Sequence, residues 1–315
     1  MVKELAICTR GLTKQFDRHV AVNDVDLEIQ AGEVYGLIGP NGAGKTTLIR
    51  MLATAEEPTT GEIYINGDRL LRDKSNPKLK RRLGYLPDDY PLYEDLTVWD
   101  YLDYFARLYR LREPRRTQRL HEVLELIQLG NKRNSQISTL SRGMKQRLSL
   151  ARTIIHEPIL LLLDEPVSGL DPIARMHFRE IIKALQEAGM TVIISSHVLS
   201  DLAELCISVG IMELGFLVES TSLQQLYQRL AHQQIVISTL GNIEALLSEL
   251  KHHLVEEWEV IPGKNSVRVN FSGKDEDSAE LLRSLIKAGI PLTDFHCMQE
   301  DLESIFLKLG HKQAS

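Results

Sequence analysis

The chain has 315 residues, of which 43% are apolar and 25% charged, as in an ordinary globular protein of one large or two medium-sized domains. Its formal net charge of −6 argues against a protein that binds nucleic acid through a broad basic surface. No run reaches the roughly 20 mostly apolar residues that a membrane-spanning helix needs, so we expect any role at a membrane to depend on a separate partner.

The first motif along the chain is a complete phosphate-binding loop, G-x-x-x-x-G-K-[ST], made by Gly39-Pro40-Asn41-Gly42-Ala43-Gly44-Lys45-Thr46. An apolar run at 34–38 predicts a buried strand that leads into the loop, and residues 46–52 have the pattern of a helix. The glycines let backbone N–H groups point at phosphate oxygens, and the helix N-terminus adds its partial positive charge. The motif predicts that Lys45 reaches the β- and γ-phosphates and that the Thr46 hydroxyl binds Mg²⁺.

Between residues 92 and 152 the sequence has a helical pattern. Thr97 followed by Asp100 predicts a capped helix start, and apolar residues continue at helical spacing to Tyr109. This first helix is rich in aromatic residues: Trp99, Tyr101, Tyr104, Phe105 and Tyr109. For Phe105 we predict a structural role, as part of a packed core with a half-exposed rim. The tyrosines are either core residues or part of a surface that docks a partner, and the sequence leaves both interpretations open.

Two further segments carry groups that can act on a phosphate. Leu140-Ser141-Arg142-Gly143-Met144 leads into a helix, and a serine and a glycine at a helix N-terminus form a second anion site. An apolar strand at 159–163 then ends in two carboxylates, Asp164 and Glu165. Because side chains alternate across a strand end, Asp164 can hold Mg²⁺ through its water shell while Glu165 polarises an attacking water. A chain with two such anion sites suggests two copies that share nucleotides.

From residue 159 onwards strands alternate with helices, which around a phosphate loop predicts the α/β class with a largely parallel, doubly covered sheet. Beyond about residue 220 the order becomes β-α-β-β-α-β, which suits a small two-layer α+β domain of about 90 residues. A last helix is predicted at 300–309. This second region has no phosphate loop and no nucleophile–base pair, so we expect it to serve regulation, dimerisation or partner binding.

The order and spacing of five segments resemble those of the ATP-binding subunits of ABC transporters. Residues 39–46 match the family's Walker A motif, 140–144 resemble its LSGGQ signature, and 159–165 match Walker B. Ser168-Gly169-Leu170-Asp171 resembles the D-loop, and Ser195-Ser196-His197 ends in a histidine at the family's switch position.

This resemblance implies a fold and a domain organisation. Residues 1–218 would form an ATP-binding domain with the ABC-type P-loop NTPase core, including a helical subdomain at about 90–152. Residues 219–315 would form an accessory domain like that on some bacterial exporter-type subunits. The implied function is an ATP-hydrolysing, energy-coupling subunit that moves a separate transmembrane permease. The permease would contact the region around residues 84–110 and hold the subunit on the cytoplasmic face of the cell membrane.

The resemblance also implies that two copies pack head to tail, with each ATP between the Walker A of one copy and the signature of the other. Lys45, Glu165 and His197 would be catalytic, with Glu165 as general base and His197 in contact with the γ-phosphate. Mg²⁺ would be held by Thr46, Asp88 and Asp164. The nucleotide would contact a wider set: Phe16 on adenine, Gly39, Asn41, Gly42, Ala43, Gly44, Lys45, Thr46 and Thr47 in the loop, and Ser141, Gly143 and Asp171 of the other copy.

Three positions depart from the family's pattern. Asp88 stands where glutamine is usual, which keeps an oxygen ligand for Mg²⁺ but adds a charge. Arg142 and Met144 stand where the signature usually has glycine and glutamine. Arg142 either adds a cation near the γ-phosphate or points to solvent. Because Ser141 and Gly143 are kept, we expect function to be retained.

A non-transport cassette ATPase that acts on ribosomes or DNA is the alternative interpretation. Translation-type members usually carry two cassettes and a charged linker in one chain, and DNA-repair types carry long coiled coils or zinc sites; this sequence has neither arrangement. A degenerate nucleotide sensor would need a damaged Walker B or switch, whereas Asp164, Glu165 and His197 are intact. The sequence does not reveal a transported substrate, because specificity in this arrangement belongs to the permease.

Overall fold

The computed structural model describes residues 4–71, 76–198, 202, 204–230, 233–240, 243–251, 255–261, 265–271 and 275–299. The chain divides into two compact units between Leu223 and Gln224. The helix predicted at 300–309 lies outside the described residues. Within the described ranges, no helix combines the length and the apolar character needed to cross a bilayer.

The first unit is built from strands and helices that follow one another along the chain. Its strands are β1 (Leu5–Phe16), β2 (His19–Gln30), β3 (Val34–Ile38), β4 (Thr60–Ile65), β5 (Asp68–Arg69), β6 (Leu83–Leu86), β7 (Leu160–Leu163), β8 (Thr191–Ser196), β9 (Ser208–Glu213) and β10 (Phe216–Ser222). Its helices are α1 (Lys45–Leu52), α2 (Pro77–Lys80), α3 (Val98–Leu108), α4 (Arg115–Leu126), α5 (Arg142–Ile154) and α6 (Pro172–Glu187). Helix α7 (Leu223–Leu230) follows at the boundary between the units.

A six-stranded sheet with the order β10-β9-β3-β8-β7-β6 forms the centre of this unit. The neighbouring strands from β9 to β6 are parallel, and β10 is antiparallel to β9 at the edge. Strands β3, β7 and β8 are buried along their whole length, as strands of a doubly covered parallel sheet are. The predicted parallel sheet is therefore confirmed. Its order brings the carboxyl ends of β3, β8 and β7 side by side.

Strands β1, β2, β4 and β5 form a second, antiparallel sheet with the order β2-β1-β4-β5, which the sequence does not predict. Asn66 and Gly67, a dipeptide typical of hairpin turns, join β4 to β5: both residues have positive φ, 47° and 78°, and Ile65 pairs with Asp68. The apolar face of this sheet shares one core with α1 and the central sheet, which includes Ile7, Leu12, Val25, Ile63, Leu48, Leu52, Leu160 and Ile193. This shared core fixes α1, and with it the phosphate loop, between the two sheets.

Helices α3, α4 and α5 occupy the segment predicted to be helical. The predicted start of α3 is confirmed, because the Thr97 hydroxyl oxygen accepts from the Asp100 N–H at 3.1 Å. The structural interpretation of Phe105 agrees with its position: Tyr101 is fully buried, whereas Phe105 lies at the partly exposed rim. From there the Phe105 ring contacts Tyr101, with centroids 5.0 Å apart, and lies 5.3 Å from the Arg152 guanidinium. A rim position lets the ring face a hydrated cation, which a core position would not.

The second unit contains one antiparallel sheet with the order β12-β13-β11-β14. Its elements are β11 (Gln233–Thr239), α8 (Ile243–Leu250), β12 (Val255–Ile261), β13 (Ser266–Phe271), α9 (Asp275–Lys287) and β14 (Leu292–Gln299). The predicted β-α-β-β-α-β order is confirmed. The core lies between the two central strands and both helices and includes Ile235, Ile237, Val267, Val269, Leu246, Leu250, Leu281 and Leu285.

The Tyr101→Ala variant tests the assignment of Tyr101 to the core. We expect it to lower the free energy of unfolding by about 3–5 kcal/mol, the usual cost of truncating a large buried ring to alanine. The matched control is Phe105→Ala, which should cost clearly less because that ring is already partly hydrated. Urea denaturation followed by circular dichroism measures both losses. Equal losses would contradict the difference in burial.

Candidate functional site

The phosphate loop runs from the end of β3 to the start of α1 and is pressed against two neighbouring strands. Gly44, which caps α1, has φ +101°, and a Cβ on it would lie 2.2 Å from the Ala21 carbonyl oxygen in β2. A Cβ on Gly39 would lie 2.3 Å from the Met212 carbonyl oxygen in β9. Only glycine fits at these two positions unless the backbone moves. Close packing against β2 and β9 therefore requires glycine at these two positions of the loop.

The loop offers unused donors and one buried cation. Within residues 41–46, the Ala43 N–H donates to the Pro40 carbonyl oxygen at 3.1 Å, and the other N–H groups have no acceptor among the described residues. Lys45 is only 5% exposed, and its Nζ donates to the carbonyl oxygens of Gly39 at 2.7 Å and Pro40 at 3.2 Å. Free N–H groups at a helix N-terminus beside an ammonium group are suited to binding phosphate oxygens.

Asp164 follows β7 and is almost completely buried, with 1% of its surface exposed. Its Oδ1 accepts from the Thr46 hydroxyl at 3.1 Å and from the Ser195 hydroxyl at 2.7 Å. Burial raises the pKa of Asp164 above its ordinary value of 3.8, and the hydrogen bonds from Ser195 and Thr46 oppose that rise. The carboxylate therefore joins α1, β7 and β8 at the carboxyl edge of the sheet.

This carboxylate fits a divalent cation. Its second oxygen, Oδ2, is buried and has no hydrogen-bond partner among the described residues, which is a costly arrangement for a charged group. Mg²⁺ prefers oxygen ligands, and the Thr46 hydroxyl lies on the same carboxylate. Asp88 is near enough that its charge raises the pKa of Asp164 further. The three residues predicted for the metal thus lie in one neighbourhood.

Glu165 has a left-handed backbone, with φ +48°, which is uncommon for a residue that carries a side chain. Its N–H donates to the Ser195 hydroxyl at 2.9 Å, and its carbonyl accepts from the Ser168 N–H at 3.2 Å. Its carboxylate lies between two other predicted residues: Oε1 is 3.5 Å from Lys45 Nζ, and Oε2 is 2.8 Å from His197 Nδ1. Local strain held in place by surrounding contacts is typical of functional sites.

Ser195 is a site residue that the sequence analysis does not identify. Its side chain is completely buried, and it bonds both acids, donating to Asp164 and accepting from the Glu165 N–H. The signal that identifies it is positional. Ser195 interrupts an apolar strand at its carboxyl end, and in a parallel sheet that end lies beside the end of β7. A hydroxyl at such a position is available to a neighbouring acid.

The structure does not bring Ser141, Gly143 or Asp171 to the phosphate loop of the same chain. Ser141 caps α5 by accepting from the Met144 N–H at 3.3 Å, and Asp171 caps α6 by accepting from the Ala174 N–H at 2.9 Å. Gly143 is buried, and a Cβ on it would lie 2.7 Å from Ala174 Cβ, so the glycine lets α5 approach α6 closely. Among the described residues, no hydrogen bond or ion pair links these three residues to residues 39–46.

Phe16 lies at the end of β1, in the hairpin that leads to β2. It is 42% exposed, and the Lys14 ammonium lies 4.7 Å from the ring centroid. Within the described part of the chain, it makes no hydrogen-bonding or ring contact with the phosphate loop. The exposed ring is available for stacking on a planar ligand.

A cleft of about 480 Å³ lies beside Glu165, and its lining includes Asp88, Glu94, Arg142 and Lys145. Arg142 is exposed to solvent, which is one of the two expectations for it, and its Nη2 also donates to the Ser168 carbonyl oxygen at 3.1 Å. The side chain is bound to its own chain, although part of it remains exposed.

Known proteins match this chain along most of its length. The protein family described as ABC transporter matches residues 22–168. The bacitracin transport ATP-binding protein BcrA of Enterococcus faecalis is 33% identical over 311 residues, which cover 98% of this chain and 97% of that protein. The linearmycin resistance ATP-binding protein LnrL of Bacillus subtilis (strain 168) is 31% identical over 302 residues, covering 95% and 96%. A solved structure described as the ATP binding subunit of an ABC transporter has a TM-score of 0.63 and 30% identity, covering 71% of this chain and 92% of that one.

The Asp164→Asn variant tests the environment of the buried acid. Because its pKa is raised in the folded protein, the native chain loses stability as the pH rises from 3.8 through the raised folded value. Asparagine does not ionise and keeps an oxygen that accepts from Thr46 and Ser195. Without Mg²⁺, we expect the variant to be more stable than the native chain at pH 7, and the difference to shrink towards pH 3.8. Urea unfolding across this pH range measures it, and a gap that did not change with pH would contradict the assignment.

Proposed function

The chain belongs to the ABC transporter family, and on that premise we propose that two copies of it bind and hydrolyse ATP together and thereby move a separate transmembrane permease. It is an ATP-hydrolysing, energy-coupling subunit. One observation carries the proposal: beside the buried Asp164, the Glu165 carboxylate forms an ion pair with Lys45 and lies at hydrogen-bond distance from His197. A carboxylate set between a phosphate-binding cation and an imidazole suits the activation of water.

We assign the hydrolytic roles within one copy as follows. Glu165 accepts the proton of the water that attacks the γ-phosphate, and His197 orients the attack. Lys45 and the free N–H groups of the loop hold the β- and γ-phosphate oxygens, and Phe16 stacks on the adenine. When bound, Mg²⁺ neutralises phosphate charge, and the residues that would hold it are Thr46, Asp164 and Asp88.

The signature residues support a site shared by two copies. Ser141, Gly143 and Asp171 make no contact with the phosphate loop of their own chain among the described residues. A second copy packed head to tail would place Ser141 and Gly143, at the N-terminus of α5, against the γ-phosphate held by the first. Asp171 would couple the two nucleotide sites. Closure of this dimer around ATP is the step we propose to drive the permease.

An exposed apolar surface on the helical segment supports contact with a permease. Tyr93, Tyr104, Leu108 and Tyr109 are 49%, 45%, 58% and 42% exposed, and all lie in or near α3. Clustered aromatic and apolar side chains of this kind are typical of docking surfaces. We propose that this docking surface holds the subunit at the cytoplasmic face of the cell membrane. The second unit would serve as an accessory domain.

We propose an exporter rather than a cassette ATPase that acts on ribosomes or DNA. Two of the relatives that match along nearly the whole chain are named for bacitracin transport and linearmycin resistance. The net charge of −6 gives no support to a nucleic-acid partner.

The Glu165→Gln variant tests the shared hydrolytic site. We expect ATP binding to persist while turnover falls by roughly 10²–10⁴, because the general base is lost. Because it hydrolyses ATP very slowly, the variant should accumulate as a dimer when saturated with MgATP, as measured by light scattering on the isolated subunit without the permease. The matched control is Glu165→Gln combined with Lys45→Ala, which should bind ATP weakly and stay monomeric. Near-normal turnover in Glu165→Gln would contradict the role of Glu165.

The combined Tyr104→Ser and Leu108→Glu variant tests the docking surface. It should recover much less of the membrane subunit when the complex is purified in detergent, because a charge replaces exposed apolar contact area. Nucleotide binding by the isolated variant should be unchanged. Ile286→Glu is the control, since it adds the same charge at an apolar residue of the second unit that is 61% exposed. Equal recovery of the membrane subunit by the native chain, the double variant and Ile286→Glu would show that the permease does not bind through this surface.

A further inference from the structure

Arg142 connects two loops of the same chain that the proposed function uses separately. It is the first residue of α5, directly after the capping Ser141. Its side chain leaves the helix end and reaches the D-loop, where Nη2 donates to the Ser168 carbonyl oxygen at 3.1 Å. A hydrogen bond from a charged donor to a carbonyl is among the stronger polar contacts in proteins.

The D-loop has room for this guanidinium because residue 169 is glycine. Gly169 has φ +65°, and a Cβ on it would lie 2.6 Å from both terminal nitrogens of Arg142. The guanidinium therefore covers the Cα of Gly169. The contact has two parts, a hydrogen bond to one peptide group and close packing on the next residue.

The helix dipole gives no reason for a cation at this position. The N-terminus of a helix carries a partial positive charge, so Arg142 in the first turn of α5 is placed unfavourably. In the part of the chain that the structure describes, it has no ion pair with a carboxylate. Its contact with the D-loop is what compensates for that placement.

The same turn carries Glu165. The Ser168 N–H donates to the Glu165 carbonyl oxygen at 3.2 Å, which closes a short turn from Glu165 to Ser168. At one end of this turn Glu165 has its left-handed backbone, and at the other end Arg142 holds the Ser168 carbonyl. A shift of the Ser168 peptide would therefore change the direction in which the Glu165 carboxylate points.

We infer that Arg142 is a positioning residue for Glu165 in the same copy, tying the start of α5 to the turn that carries the proposed general base. This inference rests on the proposed function. It differs from a direct role at the nucleotide, in which Arg142 would contact the phosphates held by the second copy. The two roles make different kinetic predictions.

Arg142→Ala should lower kcat for ATP hydrolysis by about 10-fold or more with KM for ATP unchanged, because small misplacements of a reacting group are costly. Arg142→Lys should recover part of the rate, since an ammonium can still donate to the Ser168 carbonyl. In a Glu165→Gln chain, Arg142→Ala should lower the residual rate no further. Lys183→Ala, which removes an exposed charge from α6, is the control and should keep the native rate.

Two kinetic results would overturn the inference. One is an unchanged kcat in Arg142→Ala. The other is a raised KM together with an equal loss of rate in the native and the Glu165→Gln backgrounds, as expected for a cation on the other copy's phosphate. A native chain that hydrolyses no ATP with its permease and Mg²⁺ would instead defeat the proposed function.

The contact itself can be tested without ATP. Gly169→Ala places a methyl group where the guanidinium lies, so it should lower the midpoint of thermal unfolding more in the native chain than in Arg142→Ala. The backbone strain at φ +65° is common to both chains and cancels in this comparison. Equal losses in the two chains would show that Arg142 does not occupy this place and would overturn the inference.

Discussion

The buried carboxylate of Asp164 is the interaction on which the site depends. It receives one hydrogen bond from Thr46 on α1 and one from Ser195 on β8, so a single side chain connects this helix to two neighbouring strands of the central sheet. Its burial is unfavourable for the charged form, and its second oxygen has no partner among the described residues. The fold keeps an acid where an amide would be less costly, and the parallel strand order makes this possible by ending β3, β7 and β8 together.

The two halves of the proposed catalytic site differ in how complete they are. The water-activating half is assembled within one chain, because Lys45, Glu165 and His197 are already in contact. The signature half has no such contact with the phosphate loop, since among the described residues Ser141 and Asp171 accept hydrogen bonds at the N-termini of their own helices. On the proposed function, such a chain holds its general base in position, and a second copy would bring the charge clamp.

The sequence predicts those features whose cause lies within a few neighbouring residues. Thr97 with Asp100 specifies a helix start, Asn66-Gly67 specifies a hairpin turn, and apolar strands alternating with helices specify a parallel sheet. The separate antiparallel sheet and the full burial of Tyr101 depend on which elements pack together, which local pattern does not record. The contacts of Ser195 and Arg142 cannot be predicted from the sequence for a related reason. Ser195 bonds residues about thirty positions away, and Arg142 binds a backbone carbonyl in another loop.

The strand order of the second unit has a consequence for its synthesis. Strand β11 comes first along the chain but lies inside the sheet, between β13 and β14. Until β14 emerges from the ribosome, β11 has one side without a neighbour, and its backbone N–H and C=O groups on that side can pair with another polypeptide. Chains that end before Leu292 would keep this unpaired strand edge permanently, so premature termination in this region should yield fragments that aggregate through it.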